Sequence, residues 1–263
     1  MQTEKITQHI VSWLKDYANK AKVNGYVIGV SGGVDSAVVS TLCAMTGLKT
    51  LVLEMPIRQK VDQVDRAQGH IAYLKSKFTN VESLRVDLTP AFEELYKTFN
   101  VHEEEVPNEK LAFANTRSRL RMLTLYYYGQ INGLLVCGTG NKVEDFGIGF
   151  FTKYGDGGVD VSPIADLYKT EVYKLAKSLD LVESIQNAIP TDGLWDEERT
   201  DEQQIGATYP ELEKIQKEYG TKTEADYEGR DLEVYKIFNR MHKAALHKIE
   251  PIPVCDIPEE WKN

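Results

Sequence analysis

Apolar residues recur at spacings of three and four near the start of the chain, at Ile6, Ile10, Trp13, Leu14 and Tyr17. They predict an amphipathic helix with one apolar stripe facing a core. The pattern then changes: Tyr26-Val27-Ile28-Gly29-Val30 is a continuous apolar run, as in a strand buried on both faces. From Asp35 the helical period returns through Ala37, Val38, Thr41, Leu42 and Met45, and Gly47 is placed to close that helix. Residues 50–55 predict a second strand, 61–78 a second helix and 83–88 a third strand. A longer charged stretch follows, in which Glu103, Glu104, Glu105, Pro107 and Asn108 mark an exposed loop. Residues 109–131 form a long helical pattern ending near Asn132-Gly133, and 134–138 are a fourth buried strand. Residues 146–167, rich in Gly and Asp, predict a functional loop, and 168–179 a further helix. No element is predicted for the acidic, turn-rich stretch 190–206, whose length suits a lid or a disordered segment. A last helix over 230–247 leads to an extended tail with Pro251, Pro253 and Pro258.

Strands alternating with helices through short connections predict an α/β fold, a parallel sheet with helices on both faces. The right-handed crossover rule makes it a doubly wound parallel sheet. At 263 residues the chain is long enough for one such domain. Its net charge of −9 argues against a nucleic-acid partner, which needs a basic field, but leaves room for a small anionic ligand in a locally basic cleft. Cys43, Cys137 and Cys255 are scattered and odd in number, so they suggest neither a disulfide frame nor a zinc site. Residues 2–22 lack the apolar core of a signal peptide, and no run is long enough to span a bilayer, which predicts a cytoplasmic protein without a membrane partner.

Candidate chemistry begins where the first strand meets the next helix, with Gly29, Val30 and the loop Ser31-Gly32-Gly33-Val34-Asp35-Ser36. Ligands bind open α/β sheets at this carboxyl edge. The glycine pair lets the backbone approach an anion, the helix start offers N–H groups, and the two serines add hydroxyls. Asp35 would repel a phosphate unless a cation intervened, which predicts Mg²⁺ between them. The same composition also serves as a plain capped turn. The loop is neither a Walker A sequence nor a GxGxxG fingerprint. It resembles the SGGxDS loop of the ATP-pyrophosphatase (PP-loop) group, whose members split ATP into AMP and pyrophosphate while adenylylating a substrate oxygen.

The loop by itself leaves amide-forming, tRNA-modifying and thiolating enzymes open, as well as a nucleotide sensor without turnover. Three later strings narrow the choice: Gly138-Thr139-Gly140-Asn141-Lys142-Val143-Glu144, Phe151-Thr152-Lys153-Tyr154-Gly155-Asp156-Gly157-Gly158-Val159-Asp160, and Leu167-Tyr168-Lys169-Thr170-Glu171. In that order they resemble the ammonia-dependent NAD synthetase family, and the likeness covers almost the whole chain. The resemblance implies an adenine nucleotide alpha-hydrolase-like fold and one synthetase domain over residues 1–263 without a glutaminase domain. Free ammonia, or a separate source of it, is then the nitrogen donor. The implied substrates are ATP, ammonia and deamido-NAD⁺, with Mg²⁺ as cofactor and a homodimer as assembly.

The resemblance also assigns roles. Asp35 and Glu144 flank the metal. Thr139, Lys169 and Thr191 join the loop in holding ATP. Arg119, Lys153, Asp160, His247 and Lys248 contact deamido-NAD⁺. Asp35, Lys169 and Asp156 form the catalytic set, with Asp156 the candidate acceptor of the proton that ammonium must lose. Arg117 and Arg121 point elsewhere around the helix from Arg119, so they are expected at an interface or on the surface. The chain departs from the family in two places. Glu54 stands where several members carry an arginine near the nucleotide, leaving Arg58 as the candidate replacement, and the PTADL lid string reads Pro190-Thr191-Asp192-Gly193-Leu194-Trp195.

Overall fold

The computed structural model describes residues 1–59, 61–99, 106–188, 190 and 200–262. Helix α1 (Thr3–Ala21) leads into β1 (Gly25–Gly29), α2 (Val34–Met45), β2 (Lys49–Glu54), α3 (Val61–Lys77) and β3 (Val81–Arg85). Then come α4 (Thr89–Thr98), α5 (Glu109–Asn132) and β4 (Leu134–Val136), followed by a π-helical turn over Lys142–Ile148. Helices α6 (Lys169–Ser178), α7 (Glu183–Gln186), α8 (Asp201–Ile205), α9 (Tyr209–Glu218) and α10 (Gly229–Ile249) complete the order.

All strand pairs are parallel, and the sheet order is β3-β2-β1-β4. The chain winds outward from β1 to β3, then returns to lay β4 on the other side of β1. The topological switch point therefore lies between the carboxyl ends of β1 and β4. Alternation along β1 divides the core. Tyr26 and Ile28 pack with α1, α2 and α6, whereas Val27 packs with α5 on the opposite face. The Tyr26 hydroxyl finds its partner in Leu14 O at 2.6 Å. A separate apolar cluster joins Val143 and Ile148 of the π turn to Tyr209, Leu212, Val234 and Phe238, and so braces that turn from α9 and α10.

The predicted helices and strands recur with shifted ends: β3 lies at 81–85, not 83–88. Gly47, at φ 75°, sits just past α2 as expected. Helices α4, α7 and α9 were not anticipated, and α8 occupies part of the stretch for which no element was predicted. Its start is fixed by a capping box in which Thr200 accepts from Gln203 N while Gln203 accepts from Thr200 N. No helix among the described residues is long and apolar enough to cross a membrane.

Candidate active site

Loop 31–36 leaves β1 at the switch point. Gly32 takes φ 83°, and Gly33 is the N-cap of α2 with no side chain capping the helix. The serines hold the loop's shape: Ser36 Oγ donates to Gly33 O at 3.0 Å and accepts from Ser31 N at 3.2 Å, and Ser31 Oγ accepts from Gly33 N at 3.2 Å. A helix start without a side-chain cap directs its N–H groups to an anion.

Asp35 and Glu144, from opposite sides of the switch point, converge on one ammonium. Lys169 Nζ donates to Asp35 Oδ2 at 2.5 Å and to Glu144 Oε1 at 3.0 Å, with only 5% of its side chain exposed. Asn141 locks the pair. Its Nδ2 donates to Asp35 Oδ1 (3.2 Å) and Glu144 Oε2 (2.6 Å), while its Oδ1 accepts from Glu144 N (3.1 Å). Burial depresses the basicity of Lys169, but the two carboxylates outweigh it and hold the group above its ordinary range. Glu144 is raised, because burial and the Asp35 charge exceed the relief that Lys169 and Tyr209 provide. Tyr209, raised first by burial and then by Glu144 and Asp201, stays a phenol.

Asp35, Glu144 and Lys169 line a cavity of about 300 Å³. Gly29, Val30, Ser31, Gly32, Gly33, Val34, Asp35, Ser36, Thr139, Glu144, Asp156 and Lys169 all face it. Thr191 lies outside the described residues. Asp156 Oδ1 accepts from Ser118 Oγ (2.7 Å) and Thr152 N (3.0 Å) where the residue lines the cavity. The remaining candidates lie off this cavity. Arg119 Nε donates to Lys153 O (3.3 Å) and Lys153 Nζ to His247 O, which links these three from α5 to the end of α10, while Lys248 Nζ donates to Gly149 O and Phe151 O. Asp160 binds Val136 N (2.8 Å) and the Tyr126 hydroxyl (3.0 Å).

Two arginine expectations change. Arg117 and Arg121 are not surface residues. Arg117 is buried over the Phe92 ring, and Arg121 lines the cavity, donating to Met55 O (3.2 Å) and Gln59 Oε1 (2.9 Å). Arg58, the candidate replacement for the family's nucleotide arginine, does not line this cavity; it pairs with Glu93 and stacks over Phe92 and Tyr96. Glu54 lines the cavity and is bonded by Gln68 and Arg85. Arg66 and Arg121 also line the cavity and add cations to Lys169. Sequence reasoning also missed Asn141, Ser118, Tyr209 and Asp201. Only Asn141 stood inside a quoted motif.

The chain is similar to known proteins along most of its length. An NH(3)-dependent NAD(+) synthetase of Finegoldia magna is 36% identical over 249 residues, 94% of this chain and 96% of the relative. Among solved structures, NMN synthetase from Francisella tularensis has a TM-score of 0.85 at 29% identity, covering 98% of this chain and 100% of its own. The NH3-dependent NAD synthetase of Campylobacter jejuni, in complex with the nitrate ion, has 0.77 at 26%, covering 97% and 100%. The NAD synthase family model matches residues 6–251, the span that carries the phosphate loop, the Asp35–Lys169–Glu144 cluster and the loop around Asp156, and the chain belongs to that family.

Proposed function

We propose that the chain amidates the nicotinate carboxylate of deamido-NAD⁺ with ammonia, using ATP and releasing AMP and pyrophosphate. The observation that carries this reading is the convergence of Asp35, Glu144 and Lys169 beside the uncapped start of α2. A carboxylate is a poor acyl donor, and adenylylation turns its oxygen into a leaving group. Loop 31–36 holds the triphosphate, and Lys169 offers positive charge where pyrophosphate departs. Asp156, held by Ser118 and the Thr152 N–H, takes a proton from ammonium in this reading.

The donor set suits Mg²⁺. Two carboxylates already converge on a single cation, and Asn141 fixes the direction of both. Among the described residues no three His, Cys, Asp or Glu side chains gather as a metal site, so phosphate oxygens and water would complete the shell around Asp35 and Glu144. Bound there, Mg²⁺ would neutralise charge on the reacting phosphate and the leaving group.

Helix α5 supports a homodimer. Leu123, Tyr127 and Ile131 follow one another at four-residue spacing and are 60–62% exposed, with Tyr126 beside them. Arg119 and the contacts it makes with Lys153 extend from the same helix, which supports deamido-NAD⁺ binding near that face.

A second acceptor is favoured by one observation: the Francisella tularensis protein with the TM-score of 0.85 is named an NMN synthetase. Nicotinate mononucleotide needs the same activation and the same amide bond. Incubation with ATP, Mg²⁺, ammonia and either deamido-NAD⁺ or nicotinate mononucleotide separates the readings. NAD⁺ and AMP are expected in equal amounts from the first. Absence of NAD⁺ above an Asp35→Ala control would overturn the main reading, and a larger kcat/KM for the mononucleotide would favour the second.

A further inference from the structure

The cluster around Lys169 has two buried neighbours with no part in the mechanism above. Tyr209 opens α9 and is 4% exposed, and its hydroxyl lies 2.5 Å from Glu144 Oε1 and 3.2 Å from Asp201 Oδ2. Asp201 opens α8, is 5% exposed and lines the same cavity as the phosphate loop. The two helix starts are fastened together and to the chain before them: Tyr209 N donates to Glu202 Oε1 at 2.9 Å, and Asp201 N to Pro190 O at 3.1 Å. The Tyr209 ring also lies against the ammonium of Lys169, 5.1 Å from Nζ to the ring centroid.

A phenol has one proton to donate, so it serves Glu144 or Asp201 but not both. Directed at Glu144, it holds Oε1 toward Lys169. A cation arriving with the nucleotide phosphates draws on the same carboxylate, and a hydrogen bond retained on Oε1 would compete for its charge. Turning the O–H to Asp201 frees Glu144 and keeps the buried hydroxyl bonded, where leaving it unbonded would carry a desolvation cost.

We propose that Tyr209 is a positioning residue of the nucleotide site, its hydroxyl a donor with two stations: Glu144 in the free enzyme, and Asp201 once Glu144 engages the cation carried by ATP. This rests on the assignment of the cavity to Mg²⁺ and ATP. Packing of α9 alone accounts for the Tyr209 ring, but not for a hydroxyl set between two carboxylates.

The test is calorimetric binding of α,β-methylene-ATP, which cannot be cleaved at the adenylylation step, with and without Mg²⁺. The proteins are wild type, Tyr209→Phe, Asp201→Ala, Asp201→Asn and the Tyr209→Phe/Asp201→Ala double variant. Phenylalanine keeps the ring over Lys169. Asp201→Ala, which leaves the hydroxyl only Glu144 to bond, is expected to weaken Mg²⁺-dependent binding about tenfold, whereas Tyr209→Phe, with no hydroxyl to withdraw from Glu144, should strengthen it severalfold; metal-free binding should be unchanged in both. The double variant should follow Tyr209→Phe, because Asp201 acts through the hydroxyl. Asp201→Asn, whose amide oxygen still accepts, should recover most of the loss. KM for deamido-NAD⁺ should stay constant throughout. A double variant as weak as Asp201→Ala, an equal change without metal, or Tyr209→Phe binding weaker than wild type or within twofold of it would overturn the proposal. If Asp201→Ala does not fold, Tyr209→Phe decides by itself. A wild-type protein that binds the analogue yet makes no NAD⁺ would overturn the functional reading and leave this one standing.

Discussion

His70 sits with none of its surface exposed, its Nε2 2.9 Å from the Ser40 hydroxyl on α2 and its ring stacked on Tyr73. Burial pushes its pKa from the ordinary 6.5 to about 4, against a smaller opposing contribution from the Ala37 backbone. A lowered folded-state pKa means that the unfolded chain takes up the proton first. Stability from a neutral His70 is therefore present above pH 6.5 and lost as pH falls toward 4. A displacement of that size corresponds to about 3 kcal/mol. Urea unfolding at pH 7.5 and pH 4.5 should show wild type losing that much more than His70→Gln, and equal losses would exclude the role. At this scale the sequence was readable where a residue's type sufficed. Asp35 stood out because a carboxylate in a phosphate-binding loop calls for a cation, and Glu144 and Lys169 because the strings around them resemble the family's. Asn141, Tyr209 and Asp201 did not. An amide that orients two carboxylates looks like any other asparagine until the backbone brings residues 35 and 144 together.

Elements were legible where one period ran uninterrupted, as in β1, α2 and α5. Helices α4 and α9 carried start signals that the charge around them obscured. Each has a proline in its first turn, and α9 has a capping box of Thr208 and Glu211. The π turn had no readable signal, since a single wide turn leaves too short a period to detect. Its position is nonetheless what aims Glu144, and the glycine at 32 does the same for the phosphate loop. A Cβ at Gly32 would lie 2.8 Å from Gln63 O and 3.2 Å from Ala67 N, both backbone atoms of α3, in a conformation of positive φ. Gly32→Ala should lower stability by about 1–3 kcal/mol and ATP-dependent turnover at least tenfold. Gly69→Ala, in open space within α3, should leave turnover unchanged and stability equal or higher. Thermal unfolding and steady-state rates of the two variants check this, and equal behaviour would refute it.

For the whole molecule, fold class and layer order followed from the alternation of strands and helices, but the assembly did not, because exposure of one helix face is invisible in a helix of weak amphipathicity. The stripe of Leu123, Tyr127 and Ile131 belongs to this scale. Sedimentation should give a dimer for wild type and a monomer for Leu123→Glu/Tyr127→Glu, since two carboxylates cannot enter an apolar contact unpaired. An unchanged dimer would place the interface elsewhere. The return of β4 to β1 has a consequence for how the chain is made. Asp35 leaves the ribosome early, yet its partners Asn141 and Lys169 follow 106 and 134 residues later. Throughout that interval β1 has only β2 to pair with, and its other edge displays the backbone of an apolar run between Gly25 and Gly29. Such an edge invites pairing with neighbouring nascent chains. The long-range closure at the switch point covers this edge, so synthesis of residues 134–136 marks the moment when the apolar run of β1 can be paired on both sides.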